Sequence, residues 1–304
     1  MRVRASGDPE LEAFDRWTLS IGNGSNNDEA VLIPDDMVTE IIPNTPTESW
    51  HEEESMKKFC KLIFPDLETN IITPGWLEGR AILTPTNNEV CSIYLPCFCN
   101  SEYCKVYTIN EMMQHWVPGN ITKLSSADTL ENPNDAFRFN SEYLNTLQPN
   151  GFPQHILTLK AGIPLMLLRN INPRQGLCNG TRLIYDKTID SKLLQCRIVG
   201  SERVVLIPRI TFIPKAGDYP FEWQRRQFPV RIAFATTINK SQGQSLKNVG
   251  VWLRGQVFGH GQLYVTASRV SAPNQLKFAI MRDSADTGKQ LKAKNIVYKE
   301  ILLT

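Results

Sequence analysis

The feature that most constrains this chain lies between residues 231 and 281. Three short apolar runs, RIAFATTI, NVGVWLR and LKFAIM, alternate there with two stretches of helical character, SQGQSLK and GQLYVTASRV. Short apolar runs of this kind, closed by turn residues, read as strands buried on both faces. A helix between two strands carries the chain back to the same end of the sheet. The pattern therefore predicts an α/β domain on a mostly parallel sheet. Upstream, RAILTPTN is a further candidate strand, and ILTLKAGIPLMLLRNI, interrupted at Gly162 and Pro164, reads as two.

The N-terminal part has a different character. Residues 8–22 read as a helix, with Asp8 as N-cap, Pro9 at the first helical position and Gly22 following the end. Residues 22–48, rich in Asn, Asp, Pro and Thr, read as surface loop, and a second helix through EEESMKKFCKLIF stops before Pro65. Residues 177–214 break the strand–helix alternation. TRLIYD, KLLQCRIV, RVVLIP and RITFIP are closely spaced β-rich runs, the pattern of a small barrel inserted in the α/β domain. Such barrels bind single-stranded nucleic acid in some proteins and are purely structural in others.

Charge is divided unevenly. The net charge of the 304 residues is only +2, but residues 1–80 hold 7 Lys and Arg against 16 Asp and Glu, and residues 160–269 hold 17 against 5. The basic half fits a polyanionic partner, nucleic acid or nucleotide phosphate, with a solvated basic face as the alternative. An apolar content of 41% supports a packed core. No apolar run approaches the ~20 residues that span a bilayer, and no signal-peptide h-region is present, so a membrane is not an expected partner. Seven cysteines, an odd number in a chain of this size, fit a reduced intracellular protein better than a disulfide framework.

The sharpest chemical candidate is 231–246, RIAFATTINKSQGQSL, which reads strand, turn, helix. Thr236, Thr237, Lys240, Ser241, Gln242 and Gly243 cluster where the strand ends. Hydroxyls, an ammonium and amide N–H groups at a helix start would make a phosphate-binding corner; the alternative is an ordinary junction capped by Ser241. In VFGHGQLYVTASRV, Arg269 is a cation among small residues, able to reach a γ-phosphate as a finger or to form a surface salt bridge. His260, between two glycines, reads as structural or capping. Cys91, Cys97, Cys99 and Cys104 lack the paired knuckles of a zinc ribbon, so no metal is expected there. No G-x-x-x-x-G-K-[ST] phosphate loop occurs, and no apolar strand ends in paired acids.

Taken together, ATTINKSQGQSL and FGHGQLYVTASRV resemble helicase motifs V and VI of the petite-integration-frequency family, superfamily 1 DNA helicases moving 5′ to 3′. GLCNGTRL at 176–183, preceded by GIPLMLLRNINP, is similar to a hallmark of the branch carried by Helitron rolling-circle transposons. MRVRASGDPELEAFDRWTLSIGNG resembles the segment just after motif III. The resemblance implies the second of two RecA-like domains (the P-loop NTPase type), with a small SH3-like barrel inserted. On that reading 1–79 is the end of the first domain and a linker. Residues 80–174 are the first part of the second domain, 175–222 the barrel, and 223–304 the part with motifs V and VI. Arg269 would be the arginine finger, and Thr237, Lys240, Gln242 and Gly243 would line the nucleotide cleft or hold DNA phosphates. Thr84, Thr86 and Asn87 fall in the motif IV region, and Arg2 matches the motif III arginine. Asn239 stands where superfamily relatives carry histidine.

Two departures follow from the resemblance. The chain begins inside motif III, so the Walker A lysine and Walker B acids lie outside it. ATP and Mg2+ are then expected only in the complete enzyme, and a first RecA-like domain acting in trans is a possible partner beside single-stranded DNA. The alternatives are a non-catalytic DNA-binding module and a decayed transposon product. Second, residues 91–108, which hold the four clustered cysteines, interrupt a helical pattern. Without them Val90, Ile109, Met112, Met113 and Trp116 fall at helical steps, whereas Pro96 breaks the helix. They read as a retained intron or a late insertion. The nucleus is the expected compartment, with the mitochondrion as the alternative.

Overall fold

The protein is described here by a computed structural model covering residues 8–25, 30–42, 51–73, 75–85, 109–201, 203–282, 290–298 and 300. Its chain divides into two compact units, Met1–Trp116 with Phe234–Thr304, and Val117–Ala233. Both the 91–108 segment and its cysteines lie outside the described residues, as do Arg2, Thr86 and Asn87. No helix among the described residues is long and apolar enough to cross a membrane.

The first unit is built on a five-stranded parallel sheet. Its order is Ala235–Thr237, Arg80–Thr84, Asn248–Leu253, Leu276–Met281 and Val38–Ile41. Side chains alternate across a strand, so Asn248–Leu253 divides the layers. Val249, Val251 and Leu253 share a core with Phe14 and Ile21 of helix Pro9–Asn23 and Leu263 of helix Gln262–Ala267. On the other face Trp252 meets Phe59 of helix His51–Ile63, ring centres 5.7 Å apart. Beside it Gly250 lets that helix approach closely, since a Cβ there would lie 2.6 Å from Ile63 and 2.9 Å from the Phe59 ring. The result is a sheet with helices on both faces, the α/β layering expected from the sequence.

Local differences have local causes. The first helix is capped by Asp8 but runs to Asn23, and Gly24, with φ +58°, ends it. Gly22 lies inside the helix, where a Cβ would come within 2.8 Å of the Tyr264 ring. Residues 22–48 are not all loop. Ala30–Leu32 pairs with Lys292–Lys294, and Val38–Ile41 pairs with Leu276–Met281, partners too distant in sequence to be visible in a local pattern. RIAFATTI is two strands. Val230–Ile232 belongs to a sheet of the second unit and Ala235–Thr237 to the parallel sheet, and the unit boundary falls between Ala233 and Phe234. Continuous burial on both sides of that boundary hides the change of sheet from the sequence. The expected SQGQSLK helix does not form: a 3-10 turn at Ile238–Ser241 is followed by Gly243 at φ +80°, which a right-handed helix cannot contain.

The second unit, 117–233, extends on both sides of the 175–222 read as a barrel insert. Its larger sheet is antiparallel, in the order Val204–Pro208, Leu193–Ile198, Arg182–Ile189, Pro164–Leu167, Val230–Ile232. Asp190 and Ser191, at φ 46° and 53°, make the hairpin turn between two of these strands. A second sheet joins Ile210–Phe212, Trp223–Gln227 and Ala127–Leu130. Within it Arg225 and Asp128, with fully buried side chains, form a forked pair at 2.7–3.1 Å, and Arg225 also donates to the carbonyls of Pro153 and Leu144.

Gly250→Ala should destabilise the first unit by about 1–3 kcal/mol, because the added methyl has no room beneath Ile63 and Phe59. The check is the denaturant midpoint. An unchanged midpoint would contradict the close seating of helix His51–Ile63 on the sheet.

Candidate nucleotide and nucleic-acid site

Thr84 and Thr237 end neighbouring parallel strands in register, and both are buried. The carboxyl ends of the strands are where an open α/β sheet presents its ligand-binding loops. Ala235–Thr237 is only three residues long and lies at the sheet edge. Its inner side pairs with Arg80–Thr84. On its outer side the buried Asn110 side chain stands in for a further strand, donating from Nδ2 to the Ala235 carbonyl at 3.1 Å and accepting the Ala235 N–H at 2.9 Å. Asn110 sits on helix Ile109–Trp116, which also buries Ile109, Met112 and Met113. The sequence offered no signal for Asn110 beyond its place in an otherwise apolar helix.

The loop that follows is held by its own turn and by Arg269. Ser241 Oγ donates to the Ile238 carbonyl at 2.7 Å, so it closes the 3-10 turn rather than capping a helix. Gly243 is exposed, and a Cβ there would meet nothing within 4 Å; glycine serves the backbone angle and not a close approach. Lys240 is half-buried and Gln242 exposed on this loop.

Arg269 donates from Nε to the Val265 carbonyl at 2.8 Å, from Nη1 to the carbonyls of Gln244 at 3.0 Å and Ser241 at 3.4 Å, and from Nη2 to Ser268 Oγ at 2.8 Å. Its own carbonyl accepts the Leu246 N–H at 2.9 Å. Partial burial lowers the guanidinium pKa from its ordinary value, opposed by nearby Tyr264. Among the described residues its hydrogen-bond partners are carbonyl oxygens and a hydroxyl. Arg269 clamps the 241–246 loop to helix Gln262–Ala267.

Gln262, which sequence reasoning passed over, makes a second tie. Its buried amide accepts the N–H groups of Phe258 and Gly259 and donates to Asn239 Oδ1 at 3.4 Å, joining the 257–259 loop to the 238–241 turn. His260 Nδ1 accepts the Tyr298 N–H at 2.9 Å and its ring stacks on Tyr298 at 5.3 Å, a structural role. The structure thus sets Thr84 and Thr237 at the ends of two neighbouring strands, with Thr236 beside them, Lys240 on the turn that follows and Arg269 tied to the 241–246 stretch beyond it. Among the described residues no group of three or more His, Cys, Asp or Glu side chains could hold a metal ion.

A parallel sheet with helices on both faces and polar loops at its strand ends, interrupted in sequence by a separate β unit, is a RecA-like α/β architecture. Comparison with known proteins agrees. Residues 142–185, inside the second unit, match the family model described as DNA helicase Pif1, 2B domain. The ATP-dependent DNA helicase PIF1 of Homo sapiens is 30% identical over 171 residues, covering 55% of this chain and 24% of that protein. The Pif1 of Bdellovibrio bacteriovorus is 31% identical over 159 residues, covering 52% and 35%. The crystal structure of Pif1 helicase from Candida albicans superposes with a TM-score of 0.53 at 20% identity, covering 98% of this chain and 57% of that one. A Bacteroides Pif1 in complex with ADP-AlF3 and ssDNA superposes at 0.50 with 17% identity, covering 97% and 52%. The chain is thus similar to Pif1 helicases over part of its length, and it spans 24% and 35% of the length of these two curated relatives.

Arg269→Ala should free the 241–246 loop, raising its amide hydrogen exchange and costing about 1.5–3 kcal/mol, the range for a hydrogen-bonded charged group. Unchanged exchange at Leu246 would show that the clamp is dispensable.

Proposed function

We propose that this chain forms the part of an ATP-dependent DNA helicase that grips one DNA strand and completes the nucleotide cleft of a partner RecA-like domain, with 5′-to-3′ movement. The observation that carries the proposal is the convergence of Thr84, Thr237, Lys240 and the Arg269-clamped loop at the carboxyl ends of two parallel strands. Two further facts support it. Residues 160–269 are basic, 17 against 5, and a structural neighbour, a Bacteroides Pif1 helicase, is in complex with ADP-AlF3 and ssDNA. Backbone phosphates and stacked bases would supply the grip, with little sequence preference. A nuclear site of action accords with this reading.

ATP and Mg2+ do not fit the residues of this chain alone. The sequence holds no phosphate loop, and without one nothing cradles the phosphates for in-line attack. Arg269 is proposed as the arginine finger only in the assembled enzyme. The four hydrogen bonds from its guanidinium leave one of its five N–H groups for a phosphate unless the loop shifts. A finger that also clamps the motif V loop would couple that loop to the nucleotide.

The 304-residue chain should show no ATPase above background with Mg2+ and single-stranded DNA, and should bind a dT oligonucleotide with affinity that falls as salt rises. Lys240→Ala should weaken that binding and reduce the salt slope by about 1. Fluorescence anisotropy across a salt series and a coupled ATPase assay are the measurements. DNA-stimulated turnover by the chain alone, or salt-independent DNA binding, would overturn the reading.

A further inference from the structure

The second unit carries a feature that nucleic-acid binding does not explain. A cavity of about 530 Å3 is lined by Tyr219, Phe221 and Trp223 together with Glu131, Glu222 and Lys215. The aromatic side is pre-assembled, with Tyr219 5.8 Å from Phe221 and 5.7 Å from Trp223, centre to centre. The turn beside it is fixed by Gly217 at φ +90° and an Asp218 N–H bond to the Lys215 carbonyl.

Two groups there lack what they require. Glu131 and Glu222 face each other across the antiparallel pair that aligns Trp223 with Leu130, and the Glu131 N–H donates to the Glu222 carbonyl at 3.0 Å. Both side chains are exposed, and neither joins the ion pairs found among the described residues. Like charges directly opposite one another across a strand pair are destabilising. Trp223 is 2% exposed, and its indole N–H has no acceptor among the described residues; a buried indole N–H ordinarily finds one. The local charge also reverses that of its surroundings. Asp218 and Glu222 are two of only five acidic residues in the basic stretch 160–269.

We propose that this cavity docks a basic peptide segment of a partner protein. An arginine or lysine of that segment neutralises Glu131 and Glu222 and packs against Tyr219, the part-exposed ring of the aromatic side. A nucleic-acid strand fits worse, because two carboxylates against one lysine repel phosphate. The inference stands independently of the helicase reading.

Three labelled ten-residue peptides, identical in their apolar positions and carrying Arg, Gln or Glu at the others, test it by anisotropy with the full chain. The Arg peptide should bind at least tenfold more tightly than the Gln peptide, and the Glu peptide least. Glu131→Gln with Glu222→Gln, two exposed positions, should remove at least tenfold of the Arg peptide's affinity without changing the circular dichroism spectrum. The Trp223 indole resonance should shift with the Arg peptide. Failure of all three peptides to bind, equal binding of the Arg and Glu peptides, or full affinity in the double variant would overturn the proposal. So would a Trp223 indole shift produced by a dT oligonucleotide added alone, which would assign the cavity to nucleic acid.

Discussion

A three-residue edge strand is held more firmly when backbone groups on its outer edge are also hydrogen-bonded, and the strand beneath the candidate site has this support. One edge of Ala235–Thr237 pairs with Arg80–Thr84, and the other is closed by the amide of Asn110. Unpaired backbone groups buried at that edge would carry the penalty of unmade hydrogen bonds and invite pairing with other chains. One asparagine on a neighbouring helix satisfies both groups and in doing so fixes helix Ile109–Trp116 against the sheet.

From that strand the order passes outward through side chains that bond to backbone. Ser241 closes the turn, Arg269 binds the carbonyls of Ser241 and Gln244, and Gln262 connects the 257–259 loop to Asn239. The two segments that resemble motifs V and VI are therefore one hydrogen-bonded assembly rather than two adjacent loops. A displacement of either must be felt by the other through those shared hydrogen bonds.

The second unit is organised by a different device. Arg225 and Asp128 lie fully buried within an antiparallel sheet, and the guanidinium reaches two carbonyls from separate loops as well. Such a pair is stable because each of the three guanidinium nitrogens finds an acceptor. It fixes one face of the Trp223–Gln227 strand, while Glu222 at the start of that strand lies exposed opposite Glu131. Burial with pairing and exposure without an ion pair, three residues apart, separate a structural ion pair from the surface proposed as a docking site.

The sequence alone determined the α/β class, the central strands, the first two helices and the identity of the residues at the strand end. Those follow from side-chain periodicity and from turn residues, which act over a few positions. RAILT, NVGVWL and LKFAIM all appear as strands where the apolar runs placed them. Only the tertiary structure decided which strands pair. The Val38–Ile41 strand was invisible because its partner lies some 240 residues away, and RIAFATTI concealed a change of sheet because both halves are equally buried. The same limit governs the site. Lys240 and Arg269 could be chosen from their motifs, but the roles of Arg269, Gln262 and Asn110 depend on carbonyls and amides far along the chain, whose positions no local pattern of side chains encodes.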